Sequence, residues 1–328
     1  MWCKFLYISL FILGLPILKV SAQQSNSEAA AFLKITPDAR SAGMGDIGVA
    51  LPVQAFAFYH NAAAIVFAPE KAAVAYSYIP WMRDKVSGYD FHTGGGYFKM
   101  GEKQGIVAGF RYFTNPAVEI TDEDGNVTDK AEPKEWAIDL GYSRLIAKNF
   151  AVALTAHYIY SDMGIADAAS AVAFDLGLYY HHKTQLLEGA VWTVGLQVAN
   201  IGTKIKYADT KYDLPGMAKL GGSLSLPFSK NHQLLCGVNL DYQFIPSGSE
   251  LFSAGIGAEY TFRQLVSLRG GYHIADEDKG GENYATVGCG VHFCNFTGDF
   301  SWLAADSDSA LKNTYRVTVG YKFGGNRK

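Results

Sequence analysis

The sequence predicts an all-β protein: a transmembrane antiparallel β-barrel of about fourteen strands with an amino-terminal plug segment in its lumen. Three observations carry this prediction. Many short segments alternate apolar with polar residues, the connections between them alternate long with short, and an export signal precedes them all. An outer-membrane barrel requires this pattern, because lipid-facing and lumen-facing residues alternate along every strand.

The first residues are typical of a secretory signal peptide. Lys4 gives a positive start, residues 5–18 form an apolar run, and Val20-Ser21-Ala22 supplies a small-residue cleavage site. The apolar run is too short for a membrane-spanning helix. We therefore assign residues 1–22 to a signal peptide and expect the mature chain in the outer membrane of a Gram-negative cell, in contact with lipid.

Composition excludes several other classes of protein. No mature segment holds eighteen consecutive apolar residues, which excludes a helical membrane protein. The mature chain has 26 basic and 31 acidic residues, a net charge of −5, so a nucleic-acid partner has no electrostatic support. Three cysteines remain (Cys236, Cys289 and Cys294), without the spacing of a zinc site, and we expect no metal and no cofactor.

The closing segment shows the alternation most clearly. Its apolar residues are Tyr315, Val317, Val319, Tyr321 and Phe323, and the residues between them are Arg316, Thr318, Gly320 and Lys322. The predicted strands, within a barrel domain that covers 71–328, are 71–79, 88–99, 104–113, 134–145, 149–160, 171–181, 190–200, 217–226, 231–243, 252–262, 265–274, 284–293, 295–304 and 313–323. A soluble β-sandwich also alternates, but the export signal, the loop pattern and the aromatic closing strand favour the barrel.

The lengths of the connections predict an orientation. Longer connections lie at 80–87, 114–133, 161–170, 201–216, 244–251, 275–283 and 305–312, and short turns alternate with them, except that 182–189 is longer than its place in the pattern predicts. Barrels of this kind have short periplasmic turns and longer extracellular loops. The first strand should therefore run outward, and both ends of the chain should lie in the periplasm.

Residues 23–70 do not fit the strand pattern. They include the Gly-rich run from Pro37 to Ala50, which lets the backbone bend tightly and approach other backbone closely. A lumen about fourteen strands wide would otherwise be an open channel. We therefore expect 23–70 to form a plug inside the barrel.

Within this segment, the fifteen residues from Phe32 to Asp46, FLKITPDARSAGMGD, resemble the start of the PorV/PorQ family. The resemblance implies an outer-membrane barrel related in fold to the FadL fatty-acid transporters. The family usually continues to an Asn-Pro-Ala triplet, where this chain has His60-Asn61-Ala62-Ala63. The residues of this sequence that match the family motif are Phe32, Pro37, Asp38, Ala39, Arg40, Gly43, Met44, Gly45, Asp46 and Asn61.

Several polar residues fall on the lumen face of the predicted strands. Arg111, Arg269 and His273 are the leading candidates for a substrate path or for a grip on the plug, although any lumen wall is polar. The acidic run from Asp122 to Asn126 lacks the spacing of an EF-hand loop. No nucleophile motif is present, so the sequence does not predict an enzyme.

Two functions remain in competition. The resemblance implies an accessory component of the type IX secretion system of Bacteroidota, which associates with a large translocon barrel and receives cargo carrying C-terminal signal domains. The alternative is a FadL-like channel for hydrophobic small molecules, with an apolar pocket lined by Phe56, Phe58, Tyr59, Ile65 and Phe67, although these could equally be packing residues. A structural barrel without a transport role is a third possibility.

Overall fold

Fourteen antiparallel strands close into a barrel in the computed structural model, which describes residues 28–82, 88–122, 124, 126–164 and 167–324. The signal peptide 1–22 and residues 23–27 lie outside the described residues. The ring closes because the first strand, Ala72–Pro80, pairs with the last, Tyr315–Phe323, as well as with the second, Asp90–Lys99. The barrel strands are β1 Ala72–Pro80, β2 Asp90–Lys99, β3 Gln104–Thr114, β6 Lys134–Ala147, β7 Phe150–Asp162, β8 Ala169–Lys183, β9 Val191–Gly202, β12 Met217–Ser229, β13 His232–Gln243, β14 Leu251–Phe262, β15 Val266–Ala275, β16 Tyr284–Phe293, β17 Phe296–Ala305 and β18 Tyr315–Phe323.

The alternation read from the sequence is the alternation of the two barrel faces. In β14, Phe252 and Ile256 are about half exposed on the outside, whereas Ser253 and Glu259 are buried on the inside. The prediction of a fourteen-stranded antiparallel barrel is confirmed, and no predicted strand end differs from the observed one by more than three residues. The agreement is close because the two-residue period is a local property of each strand.

Two long connections contain small hairpins that the sequence did not predict. The connection 114–133 holds β4 Val118–Thr121 and β5 Val127–Ala131, and the connection 201–216 holds β10 Ile205–Tyr207 and β11 Thr210–Tyr212. Both were expected to be plain loops, and that expectation is wrong. Strands of three to five residues are too short to show an alternating pattern, so their pairing is visible only in the fold.

The two rims of the barrel differ. We call the rim with the long connections the long-loop end and the opposite rim the short-turn end. Ala72 and Phe323 pair at the short-turn end, as expected. The amino-terminal end itself lies outside the described residues. The first described residues lie at the long-loop end, where Glu28 bridges to Asp213 and Ala29 N–H donates to the Asp213 carbonyl (2.9 Å). No local pattern in the sequence indicates this contact.

The described part of the plug, residues 28–70, runs through the lumen from the long-loop end toward the short-turn end. Its short helices are the 3₁₀ helices Ala31–Lys34 and Ala62–Phe67 and the α-helices α1 Ala39–Ala42 and α2 Ala57–His60. Phe32 and Leu33 pack in the apolar cluster near the long loops, and Phe58 and Ile65 pack in the cluster near the short turns. Among the described residues, no helix has the length and apolar character needed to cross a membrane.

Candidate functional site: the plug and its contacts with the barrel wall

The motif residues form a sharp, buried turn in the middle of the plug. The Asp38 side chain accepts a hydrogen bond from Ser41 N–H (2.8 Å) and caps α1, as a carboxylate at a helix start commonly does. Gly45 then has a φ of 75°, a left-handed conformation that glycine adopts without steric cost. Gly45 N–H donates to Thr286 Oγ1 on the wall (2.9 Å), so the turn is anchored to β16.

Glycines on the wall let the backbone of this turn come unusually close. A Cβ atom placed on Gly257 would lie 2.2 Å from the Met44 carbonyl oxygen, and one on Gly271 would lie 2.2 Å from the Met44 carbonyl carbon. On Gly255 it would lie 2.3 Å from the Gly45 carbonyl oxygen. Real side chains do not reach such distances. The Gly-rich faces of β14 and β15 therefore form a seat for the Met44–Gly45 turn.

A network that we call the plug lock joins the motif to the wall by charge. Arg40 donates two hydrogen bonds to the Glu259 carboxylate, from Nε (2.9 Å) and Nη2 (2.8 Å). Arg269 donates from Nε to the same carboxylate (2.5 Å), and its Nη1 lies 2.7 Å from Asp299 Oδ1. Because Glu259 is shared between an arginine of the plug and an arginine of the wall, this network ties the plug to β14, β15 and β17.

The remaining charged motif residues are also paired. Tyr284 donates its hydroxyl proton to Asp46, and His60 Nε2 lies 2.5 Å from Asp38 Oδ2 within the plug. Burial alone would raise the pKa of Asp38, but the charge of His60 and hydrogen bonds from His60 and Ser41 outweigh it, so the pKa lies below its ordinary value. Asp38 thus holds the two halves of the plug together as a carboxylate.

Asn61, at the departure from the family triplet, is a second helix cap. Its side-chain oxygen accepts a hydrogen bond from Ala63 N–H (3.1 Å) and its amide donates to the Leu178 carbonyl (2.9 Å). The turn is therefore held by hydrogen bonds at the position where the family has a proline.

The three lumen candidates have separate environments. Arg269 belongs to the plug lock, but Arg111 donates to Asp139 on the neighbouring strand, from Nη2 (2.5 Å) and Nε (3.1 Å). His157 continues that wall cluster, with Nδ1 2.5 Å from Asp139 Oδ1. His273 lies near neither group, and its ring stacks on Tyr284 with centroids 4.7 Å apart.

The aromatic residues proposed to line a pocket mainly fill space. Phe58 is fully buried, and its ring occupies a slot between Gly95 of β2 and Gly109 of β3, which pair directly. Ile65 is also fully buried. Of the five residues, only Tyr59 reaches a cavity of about 560 Å³ toward the long-loop end, while Phe56 and Phe67 reach smaller spaces on the other side of the plug.

Two cavities flank the plug. One of about 560 Å³ lies toward the long-loop end, between the plug and strands that include β12, β13 and β15. The other, of about 400 Å³, lies toward the short-turn end and includes Arg40 and Glu259 in its lining. The two cavities share no lining residue. In the part of the chain that the structure describes, no group of three or more His, Cys, Asp or Glu side chains is arranged to hold a metal ion.

The fold of this chain is similar to the folds of several solved structures. The toluene transporter TodX of P. putida matches with a TM-score of 0.61 and 12% identity over 87% of this chain and 98% of that chain. The toluene transporter TbuX of Ralstonia pickettii matches with a TM-score of 0.58 and 13% identity over 88% and 98%. A Pseudomonas aeruginosa FadL homologue matches with a TM-score of 0.51 and 10% identity over 88% and 98%. The protein is thus an outer-membrane β-barrel with the FadL-like fold.

A comparison of the sequence with protein families assigns the protein to a narrower class. The family model described as type IX secretion system protein PorV matches residues 19–250, which is more than half of the chain and includes the whole plug. The chain therefore belongs to the PorV family, an outer-membrane component of the type IX secretion system. No curated protein matches the chain.

Proposed function

We propose that this barrel is an accessory component of the type IX translocon that associates with the large translocon barrel and receives cargo carrying C-terminal signal domains. The observation that carries this proposal is the family match, which covers the plug and the first nine of the fourteen barrel strands. The proposed role rests on membership of the family and not on any catalytic or ligand-binding residue of this chain.

The packing of the plug supports the same proposal. The Met44–Gly45 turn lies against wall backbone, the plug lock fixes Arg40, and Phe58 fills its slot. A plug packed against the wall in this way leaves the outer wall and the two rims as the surfaces that a partner protein can reach. The hairpins β4–β5 and β10–β11 lie at the long-loop end.

The test compares the surface proteomes of wild type and a strain that lacks the chain. We expect cargo with C-terminal signal domains to stay in the periplasm or to remain unprocessed at the surface in the deletion strain. A variant with 118–131 replaced by a short Gly-Ser linker serves as a partial-loss strain. It should still form the barrel, because β4 and β5 pair only with each other. An unchanged surface proteome in the deletion strain, in an organism with a working translocon, would refute the proposal.

The channel alternative has one observation in its favour, the cavity of about 560 Å³ with Phe32, Trp81 and Phe113 in its lining. A chain that lacks residues 29–66 separates the two functions, because the strands that close the barrel begin only at Ala72. Under the channel alternative, the deletion abolishes or deregulates uptake of a hydrophobic compound and leaves secretion of cargo untouched. Under the secretion proposal, uptake does not depend on the chain.

A further inference from the structure

The cavity at the long-loop end has a row of polar residues on one wall. Lys219 of β12 pairs directly with Asp241 of β13, which in turn pairs with Ser253 of β14. The next row along the strands contains Asn239 of β13 and His273 of β15, both aligned with Gly255. All of these residues except Gly255 line the cavity.

Lys219 and Asp241 carry opposite charges on directly paired positions, yet they do not pair with each other. The Lys219 nitrogen lies over the Tyr59 ring, 4.6 Å from its centroid, and no described carboxylate lies within ion-pair distance of it. Asp241 instead accepts a hydrogen bond from Asn239 Nδ2 (2.8 Å). Lys219 is only 8% exposed, so its charge is largely removed from water, and no described carboxylate contacts it directly. The carboxylate of a ligand would supply that direct contact.

Other charged groups in the same lining are already engaged. Lys34 lies 2.6 Å from Glu28, Tyr284 bonds Asp46, and Ser161 donates to Glu135 (2.8 Å). Asp46 Oδ1 has no hydrogen-bond partner among the described residues, but it lies 3.8 Å from Arg316 Nη2. Asn239 Oδ1 and His273 Nδ1 are buried and have no hydrogen-bond partner among the described residues.

The opposite side of the cavity carries its aromatic residues, together with Glu135, which pairs with Phe113 in the sheet, and Arg316, which lies over the Trp81 ring. Phe113 of β3 lies six strands away from β13 around the ring of fourteen, and Phe32 packs against it with ring centroids 6.4 Å apart. Trp81, directly after β1, and Leu311, in the connection before β18, line the cavity toward the long loops. The cavity is thus amphipathic, with a mixed-charge wall and an aromatic wall, and its volume of about 560 Å³ suits a small molecule.

We propose that this cavity binds a small zwitterion with an apolar side group, the class to which hydrophobic amino acids belong. Lys219 Nζ contacts the carboxylate of the ligand, Asp241 contacts its ammonium group, and the apolar group lies against Phe32, Phe113 and Trp81. A hydrocarbon gives neither Lys219 nor Asp241 a charged partner, and a simple anion brings a negative charge beside Asp241. The proposal goes beyond the secretion role and does not depend on it.

Isothermal titration calorimetry on the purified barrel in detergent tests the proposal with four probes of similar size. L-Phenylalanine carries both charges, 2-phenylethylamine only the positive one, 3-phenylpropanoate only the negative one, and toluene neither. We expect phenylalanine to bind at least about tenfold more tightly than any of the other three. Equal or tighter binding of toluene or of 3-phenylpropanoate overturns the proposal, and so does the absence of phenylalanine binding.

Substitutions then locate the site. Lys219→Met and Asp241→Asn should each weaken phenylalanine binding by about 30-fold or more, because each leaves a buried charge of the complex unpaired. The matched control is Lys204→Met, which removes an exposed lysine at the same end of the barrel and should change nothing. Correct folding of each variant is checked by heat-modifiable gel mobility. Full-strength binding by both folded variants would refute the assignment of this cavity, and the probe comparison on the unaltered chain needs no variant at all.

Discussion

The slot that holds Phe58 offers a sharp test of how the plug is fixed in the barrel. Gly94 and Gly95 are neighbours in β2 but face opposite sides of the wall. A Cβ atom on Gly95 would lie 2.3 Å from Phe58 Cε1, whereas one on Gly94 would meet nothing closer than 3.8 Å. Gly95→Ala and Gly94→Ala therefore add the same methyl group one residue apart on one strand, and only the first collides with the plug.

The size of the effect follows from this geometry. Ordinary contact with the new methyl group needs the Phe58 ring to move by more than 1 Å, and the ring is fully buried. Overpacking of this kind costs about 1–3 kcal/mol. Gly94→Ala should stay within about 0.5 kcal/mol of wild type, because it lies away from the plug. We expect urea unfolding in lipid vesicles, followed by heat-modifiable gel mobility, to show this difference, with protease access to the plug as a second readout.

A double-mutant cycle shows whether the collision with Phe58 is the cause. Phe58→Leu shortens the side chain that occupies the slot, so it should cost less in the Gly95→Ala background than in wild type, by about 0.5–3 kcal/mol. The same cycle with Gly94→Ala should be additive. Equal destabilisation by the two glycine substitutions, or strict additivity of Phe58→Leu with Gly95→Ala, would refute the reasoning.

Three further outcomes are expected. Cys294 is exposed at the short-turn end, so a membrane-impermeant maleimide should label it in lysed cells only, and labelling on intact cells would reverse the orientation. Arg40→Met should destabilise the plug by about 1–3 kcal/mol, and adding Glu259→Gln should cost less than the sum of the two, as urea unfolding would show; an additive result contradicts the plug lock. Because the pKa of Asp38 lies below its unfolded value of about 3.9, its stabilising contribution is complete above that pH and is lost as the pH falls further. Protease access to the plug should therefore rise more steeply with acid in wild type than in Asp38→Asn, and parallel profiles would exclude the role given to Asp38.

Much of the site was visible in the sequence, but only as separate parts. The motif from Phe32 to Asp46 marked the plug, and the polar face of the strands contained both Arg269 and Glu259. Nothing in the sequence joined Arg40 to Glu259, because the two residues are 219 positions apart and meet only when the plug enters the closed barrel. The wall glycines at 255, 257 and 271 were a signal that could have been used, since glycine on an inward strand face often marks a close backbone approach.

Lys219 and Asp241 are a second example of an arrangement that the sequence alone did not predict. Their strands were predicted correctly, yet the polar row depends on the register between β12 and β13, which pairing in three dimensions sets. The course of the plug was also beyond the sequence: Glu28 meets Asp213 at the long-loop end, and no local pattern connects them.

The strands, their number and the alternation of short and long connections could be predicted from the sequence alone. Each depends on the two-residue alternation within a strand or on the number of residues between two alternating segments. The tertiary structure alone decided how the plug runs, which wall residues hold it, where the two extra hairpins form and which charges remain unpaired in the cavity. These features arise from contacts between residues far apart in the chain, and such contacts exist only after the fourteen strands have closed around the plug.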